Sequence, residues 1–119
     1  MSQDKLVIYH NSSCSKSRET LQILEDKNLN PEIIEYLDEP PSEQELIRII
    51  ALLGIGARDL LRSTEQAYKD AGLDDDSLSE TEIIAAICQH PVLLQRPIVV
   101  VGDKAIIGRP PVRVLDILA

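Results

Sequence analysis

Short apolar runs alternate with helix-length periodic segments along the first third of the chain. The run Leu6-Val7-Ile8-Tyr9 is β-branched and aromatic and stops at a polar cluster, which predicts a buried strand. From about Ser15 to Asn28 the apolar positions recur near helical spacing, with Asn28 and Asn30-Pro31 as stop signals. Residues 32 to 37 predict a second strand, and because a helix joins the two strands we expect them to be parallel.

Helical spacing dominates the middle of the chain. A periodic apolar set follows residue 45, and shorter helical pieces fill residues 57 to 88. In a capping box, a serine and a glutamate three residues later each satisfy a free amide of the first turn, so a box marks a helix start. The predicted boxes are Ser42 with Glu45 and Ser79 with Glu82, and Gly54 is the predicted end of the first of these helices.

The last part of the chain changes back to strands. Ile98 to Val101, Gly102-Asp103 and Lys104 to Ile107 predict a hairpin with a two-residue turn. The tail from Val112 to Leu118 fits a short final helix. The predicted order is therefore β-α-β-α, a helical insert at about 57–90, and then β-β-α.

This order of elements resembles that of thioredoxin-like domains. The resemblance implies an α/β fold with a mixed four-stranded sheet, and we expect the 119 residues to form one domain over 1–119. In that architecture a functional cysteine lies where the first strand meets the first helix, which is the place of Cys14. A cis proline facing the thiol precedes the third strand, which is the place of Pro97. We therefore expect the Arg96–Pro97 bond to be cis, since only X-Pro bonds adopt that form at low cost.

The amino-acid composition limits the kinds of partner and the cellular compartment that we expect for this protein. The formal net charge is -8, so we expect neither nucleic acid nor an anionic membrane surface as a partner. No segment reaches the roughly 20 apolar residues of a membrane span, and the start lacks the pattern of a signal peptide. Two cysteines are too few for a disulfide scaffold, which favours a reducing, cytoplasmic location. Cys88 lies in the apolar stretch IIAAIC, and we expect it to pack in the core.

Cys14 stands in a polar setting that is unusual for a structural thiol. Apart from the cysteine itself, no apolar residue occurs from Asn11 to Thr20, whereas buried free thiols behave as small hydrophobes. The neighbouring Lys16 and Arg18 are expected to be mainly solvated. A reactive thiol needs a lowered pKa, and a drop of about two units corresponds to about 2.7 kcal/mol. A helix N-terminus supplies only about 0.3 to 1 kcal/mol to a nearby anion, so cationic partners are required as well.

Arginines stand at both ends of the predicted hairpin. Arg96 precedes it and Arg109 follows it, and because the two ends lie side by side, both can point to one place beside Pro97. Arg62, which follows Leu60-Leu61, is a third candidate. A guanidinium presents several donors in a planar fork that suits tetrahedral oxyanions. The pattern indicates a thiolate with an oxyanion clamp.

Short motifs spread along nearly the whole chain carry a family resemblance. They are His10-Asn11-x-x-Cys14, Ser17-Arg18-x-Thr20-Leu21, Leu60-Leu61-Arg62, His90-Pro91, Arg96-Pro97-Ile98-Val99-Val100, Arg109-Pro110 and Val114-Leu115-Asp116-Ile117-Leu118. In this order and spacing they resemble the glutaredoxin-coupled arsenate reductases of the ArsC type.

The resemblance implies a nucleophile, three arginines that bind the oxyanion and lower the thiol pKa, and four supporting residues. These are Cys14; Arg62, Arg96 and Arg109; and His10, Asn11, Ser17 and Pro97, respectively. Ser17 stands where a dithiol enzyme would carry the second cysteine of C-x-x-C, and we expect it to donate a hydrogen bond to the thiolate.

The resemblance also implies the reaction. The Cys14 thiolate attacks arsenate, water leaves, glutathione joins the thiolate–arsenic adduct, and glutaredoxin helps to complete the reduction to arsenite. The implied partners are arsenate or a similar oxyanion and glutaredoxin, with glutathione as co-substrate. No tightly bound cofactor and no metal ion is expected.

Two other functions stay open at this point. One is a reductase of another oxyanion, and the other is a non-enzymatic thiol-based regulator or adaptor of the Spx type. Such regulators usually sense oxidation through C-x-x-C, a switch that Ser17 removes, and the three arginines weigh against a pure adaptor. A low-molecular-weight phosphatase would grip its oxyanion with a C-x5-R loop, but Thr20 occupies the arginine position.

Overall fold

The structure, a computed structural model, describes residues 5–62, 65–95 and 97–118. Its contacts group the chain into two units, Met1–Glu39 with Arg96–Ala119, and Pro40–Gln95. The strands are β1 (Leu6–His10), β2 (Glu32–Glu35), β3 (Ile98–Val101) and β4 (Lys104–Ile107); the α-helices are α1 (Ser15–Asp26), α2 (Glu43–Leu53), α3 (Gln66–Asp70) and α4 (Glu80–Gln89); and short 3₁₀ helices span Ala57–Leu60, Pro91–Leu93 and Pro111–Ile117.

The four strands of the first unit form one sheet in the order β2-β1-β3-β4. Strands β1 and β2 are parallel, β3 is antiparallel to β1, and β4 is antiparallel to β3. The predicted parallel pair and the predicted hairpin are both confirmed. The chain therefore has the α/β, thioredoxin-like fold with a mixed four-stranded sheet that its sequence predicts.

An aliphatic cluster between the sheet, α1 and the C-terminal 3₁₀ helix forms the core of the first unit. Strands β1, β3 and β4 contribute Ile8, Val99 and Ile106, α1 contributes Leu24, and the 3₁₀ helix contributes Val114. Four of these side chains are fully buried and Ile106 is 8% exposed. Branched aliphatic residues fill this core without any phenylalanine or tryptophan, as the composition requires.

Helix α1 ends at Asp26, two residues before the predicted stop at Asn28. Asn28 adopts the left-handed conformation, with φ at 60°, which asparagine tolerates better than most residues. The N–H of Leu29 then donates to the carbonyl of Leu24 at 3.1 Å, which satisfies a carbonyl of the last turn. The turn directs the chain into β2.

In the second unit both predicted capping boxes are confirmed. The N–H of Glu45 donates to Ser42 Oγ at 3.1 Å, and the N–H of Glu82 donates to Ser79 Oγ at 3.2 Å. Gly54 ends α2 in the left-handed conformation, as predicted. Both caps begin helices whose inner faces are buried aliphatic residues.

Short helical pieces fill the region of the predicted insert. The backbone N–H of Ala57 lies 3.0 Å from the carboxylate of Glu80, and Arg58 Nη1 donates to the carbonyl of Leu73 at 2.7 Å. These side chains join the 3₁₀ helix Ala57–Leu60 to α4 and to the segment that follows α3. The expectation of a single domain over 1–119 stays a prediction.

The C-terminal helix is a 3₁₀ helix, Pro111–Ile117, rather than an α-helix. A 3₁₀ helix has three residues per turn, so residues three apart lie on one face. Pro111 and Val114 are buried and Ile117 is partly buried, whereas Val112 and Leu115 are exposed. The buried positions therefore follow a period of three, which matches the geometry of a 3₁₀ helix.

Close packing between α1 and the end of the hairpin requires glycine at position 108. A Cβ atom there would lie 2.7 Å from Thr20 Oγ1 and 3.0 Å from Pro97 Cγ. Both neighbours are buried, and the Thr20 hydroxyl is held by its bond to the Lys16 carbonyl. The absence of a side chain at Gly108 thus lets the hairpin approach α1.

We expect Gly108→Ala to lower the free energy of unfolding by about 1 to 3 kcal/mol, because the added methyl group overpacks this contact. Urea unfolding of the variant and the parent protein measures the difference. Gly56→Ala is the matched control, because a Cβ at Gly56 meets its nearest atoms at 3.7 and 3.9 Å, which is ordinary contact. Equal losses in the two variants would contradict the packing described.

Candidate functional site

Several predicted site residues lie at one edge of the sheet. Tyr9 pairs with Ile98, so the antiparallel register brings Pro97 beside His10 where β1 ends. The N–H of Gly108 donates to the carbonyl of Pro97 at 2.9 Å, which continues the hairpin by one step. The loop of residues 11–14, Pro97 and the segment after Gly108 therefore leave the sheet at the same edge.

Cys14 is the N-cap residue of α1, at the junction that the sequence predicts. Its backbone is extended, with φ at -99° and ψ at 124°, and its side chain makes no capping hydrogen bond. The Cys14 N–H donates to the carbonyl of Asn11 at 2.9 Å, and its carbonyl accepts the N–H of Arg18 at 3.0 Å. The partly exposed thiol thus lies at the positive end of a 12-residue helix, which favours a thiolate.

Ser17 joins the end of β1 to the first turn of α1 from inside the protein. Its Oγ lies 2.6 Å from His10 Nδ1 and accepts the backbone N–H of Asn11 at 3.0 Å. Ser17 is fully buried and His10 is 4% exposed. Three of the supporting residues named from sequence are thus in direct contact with one another. The expected bond from Ser17 to the thiolate stays a prediction.

Arg62 lies in the second unit. Its backbone N–H donates to the carbonyl of Leu93 at 2.8 Å, next to the antiparallel bridge between Leu61 and Leu94. Its Nη1 contacts Glu65 Oε1 at 2.7 Å, in an ion pair whose side chains are 18% and 29% exposed, respectively. The guanidinium of Arg62 therefore already binds an anionic oxygen.

Of the two arginines that flank the hairpin, the structure describes Arg109 but not Arg96. Arg109 is exposed, and its backbone N–H donates to the carbonyl of Ile107 at 2.9 Å. The Arg109–Pro110 peptide bond is cis. Arg96 lies outside the described residues, and so does the predicted cis bond between Arg96 and Pro97. The position of Arg96 beside Arg109 stays a prediction.

Arg18 contacts the Cys14 loop, although the sequence suggests a solvated residue. Its Nη1 donates to the carbonyl of Ser12 at 2.8 Å, while the side chain stays exposed. The sequence signal for this contact is the spacing of four residues between Cys14 and Arg18, because residues four apart in a helix lie on the same face. A residue that binds a neighbouring loop carbonyl is hard to distinguish from a solvated arginine by composition alone.

Comparison with known proteins identifies the family. A model of the ArsC family matches residues 9–117. The chain belongs to the ArsC family. A Haemophilus influenzae protein named arsenate reductase is 49% identical over 114 residues, covering 95% of this chain and 98% of that protein. YfgD of Escherichia coli K12, an uncharacterized protein, is 47% identical over 112 residues, covering 93% and 94%, respectively.

A solved structure supports the same assignment. The arsenate reductase from Vibrio cholerae is 46% identical and superimposes with a TM-score of 0.94, covering 98% of this chain and 100% of that chain. The two structures therefore share the same architecture over nearly the whole length of this ArsC-family chain. The roles of individual site residues stay predictions.

Cys88, the second thiol of this ArsC-family protein, has a different environment from Cys14. It lies on α4, where its thiol donates to the carbonyl of Pro41 at 3.3 Å. Burial raises the pKa of Cys88, and the nearby carboxylates of Glu43 and Glu45 raise it as well. Cys88 is partly rather than fully buried, so the prediction that it packs in the core is only partly confirmed. A thiol with a raised pKa is a poor nucleophile at neutral pH.

The structure shows no candidate metal site within residues 5–62, 65–95 and 97–118: no three or more His, Cys, Asp or Glu side chains cluster suitably there. Each helix in the described part of this ArsC-family chain is too short or too polar to cross a bilayer.

The environment of His10 favours the neutral form of its side chain. Burial is the main cause that lowers the pKa of His10, and the nearby guanidinium of Arg18 lowers it further. The carboxylates of Glu35 and Glu25 raise this pKa, but burial outweighs them. When neutral His10 carries its proton on Nε2, its Nδ1 accepts a hydrogen bond from the Ser17 hydroxyl; when the proton is on Nδ1, the ring donates to Ser17 Oγ. The predicted bond from Ser17 to the Cys14 thiolate requires the second tautomer, because a serine hydroxyl has one proton to donate. The Ser17 hydroxyl can then accept the Asn11 N–H at the same time.

This state of His10 predicts a pH dependence of stability. Because the pKa is lowered by folding, the unfolded chain binds more protons at His10 once the pH falls below about 6.5. We therefore expect the free energy of unfolding to decrease between about pH 7.5 and about pH 5.5. Urea unfolding at the two pH values measures the decrease, which should be smaller in His10→Asn.

His90→Asn is the control for this experiment, because His90 is an exposed C-cap residue of α4. It should retain the pH dependence of the parent protein. The same decrease in His10→Asn as in the parent would show that His10 is not held neutral by folding.

Proposed function

We propose that this ArsC-family protein is an arsenate reductase in which Cys14 is the nucleophile. The position of Cys14 carries the proposal: the thiol is partly exposed, at the N-terminus of α1, on a loop fixed by hydrogen bonds. A helix N-terminus stabilises a nearby thiolate, and the thiolate is the reactive form. The names of the Haemophilus influenzae and Vibrio cholerae relatives support arsenate as the substrate.

In the proposed reaction the Cys14 thiolate forms a bond to pentavalent arsenic and one arsenate oxygen leaves as water. The thiol of glutathione then forms a second sulfur–arsenic bond, and a second arsenate oxygen leaves as water. A glutaredoxin thiolate attacks the glutathione sulfur, and the two electrons of the sulfur–arsenic bond stay on arsenic, which becomes trivalent. Hydrolysis of the remaining bond to Cys14 releases arsenite, and the oxidised product is a glutathione–glutaredoxin disulfide.

One protein thiol is sufficient for this sequence of steps, because glutathione and glutaredoxin supply both electrons. Ser17 occupies the place of a second active-site cysteine. Cys88 is a poor candidate for a resolving thiol, since burial and neighbouring carboxylates raise its pKa. These external thiols are kept reduced in a cytoplasm, which is where we place the reaction.

Arg62, Arg96 and Arg109 are proposed to bind the arsenate oxygens and to stabilise the Cys14 thiolate. Guanidinium groups form strong, charge-assisted hydrogen bonds to oxyanions. The Arg62 guanidinium binds the Glu65 carboxylate at 2.7 Å, so an arsenate that binds Arg62 must share it with Glu65 or replace Glu65.

The test is arsenate-dependent oxidation of NADPH in a mixture with glutathione, glutaredoxin and glutathione reductase. We expect the parent protein to support turnover and Cys14→Ser to reduce it to the background rate. Arg109→Ala should lower kcat/KM by about tenfold to a hundredfold, the loss expected for a charge-assisted bond to the oxyanion.

Two variants serve as controls for the assay. Cys88→Ser should retain activity, because the mechanism does not use this thiol. Arg113→Ala removes an exposed cationic side chain of the C-terminal 3₁₀ helix and should leave kcat/KM unchanged. Turnover equal to background in the parent protein would contradict the arsenate assignment, and turnover with another oxyanion in its place would identify a different reductase.

A further inference from the structure

The loop between β1 and α1 is held by hydrogen bonds at nearly every residue. Within the loop, the Ser13 N–H donates to Asn11 Oδ1 at 2.9 Å and the Cys14 N–H donates to the Asn11 carbonyl at 2.9 Å. Further bonds come from α1: Ser17 Oγ accepts the Asn11 N–H, and Arg18 donates two hydrogen bonds to the loop. Ser17 acts from the buried side and Arg18 from the exposed side.

Arg18 binds the loop through both its side chain and its backbone. Its Nη1 donates to the Ser12 carbonyl at 2.8 Å, and its N–H donates to the Cys14 carbonyl at 3.0 Å. The second bond is an ordinary first-turn helix bond that any residue at position 18 could make. The first bond depends on the arginine side chain, which folds back across the helix start.

The bond to Ser12 matters because of the peptide group that it fixes. The Ser12 carbonyl and the Ser13 N–H belong to one planar peptide unit, whose two ends must rotate together. Arg18 holds the carbonyl end and Asn11 Oδ1 holds the N–H end. Without the guanidinium, only one end of this peptide is held by a side chain, and the peptide comes directly before the one that joins Ser13 to Cys14.

We propose that Arg18 is a positioning residue for Cys14, which acts by fixing the Ser12–Ser13 peptide so that the thiol is presented in one orientation. Arg18 does not bind the oxyanion in this scheme. The catalytic consequence rests on the proposed function, whereas the effect on the loop does not.

The experiment compares Arg18→Met, which removes the guanidinium donors and the charge, with Arg18→Lys, which keeps the charge on a single flexible ammonium group. Lys16→Met is the matched control, because it removes an exposed positive charge from the same first turn of α1. The first readout is amide hydrogen exchange of Ser13 and Cys14 by NMR. The second is kcat and KM for arsenate in the coupled assay.

We expect exchange at Ser13 and Cys14 to become about fivefold faster in Arg18→Met, the effect of losing one partly solvated hydrogen bond to the loop. Arg18→Lys should lie between this variant and the parent protein, and Lys16→Met should match the parent. For arsenate, kcat should fall severalfold in Arg18→Met with KM little changed, because the affected group is the nucleophile and not the oxyanion site.

Parent-like exchange in Arg18→Met would overturn the proposal, and so would equal changes in Arg18→Met and Lys16→Met that vanish at about 0.5 M salt, which is the signature of a general surface charge. A rise in KM alone would overturn it by placing Arg18 in oxyanion binding. The exchange measurement uses no arsenate, so it decides the role of Arg18 in the loop even if the parent protein shows no arsenate turnover.

Discussion

The buried hydroxyl of Ser17 is the contact on which the geometry of the site depends. It lies 2.6 Å from His10 Nδ1 and accepts the Asn11 N–H at 3.0 Å, so a single atom joins the last residue of β1, the first residue of the loop and the first turn of α1. Because Ser17 and His10 are almost completely buried, leaving either without its partner would carry a desolvation cost. The strand end and the helix start are therefore held in fixed relation, and Cys14 lies between them.

The packing of the hairpin against α1 supports this junction. The register between β1 and β3 sets Pro97 beside His10, and Gly108 lets the end of the hairpin approach Thr20 on α1. The thiol thus lies where a rigid sheet edge meets the positive end of a helix, which suits the binding of an anion. Within this arrangement burial is the main cause that lowers the pKa of His10 and favours its neutral form.

Much of the fold could be predicted from the sequence because its signals are local. Both capping boxes, the hairpin turn and the strand–helix–strand start depend on residues close together in the chain, and these features are confirmed. The 3₁₀ character of the tail was not predicted, because its apolar residues occupy both buried and exposed positions and so do not reveal a period of three. Side-chain partners were harder to predict, because they depend on rotamers that no sequence motif specifies. Two examples are the ion pair of Arg62 with Glu65 and the hydrogen bond from Arg18 to the Ser12 carbonyl.

Protection of Cys14 from alkylation tests directly whether arsenate reacts at this thiol. The protein is treated with iodoacetamide at increasing arsenate concentrations, and modification of each cysteine is followed by peptide mass spectrometry, with sulfate at equal ionic strength as the control. We expect arsenate to slow alkylation of Cys14 in a concentration-dependent way and to leave the alkylation of Cys88 unaffected. An unchanged rate at Cys14, with or without arsenate, would contradict the proposed reaction at this thiol.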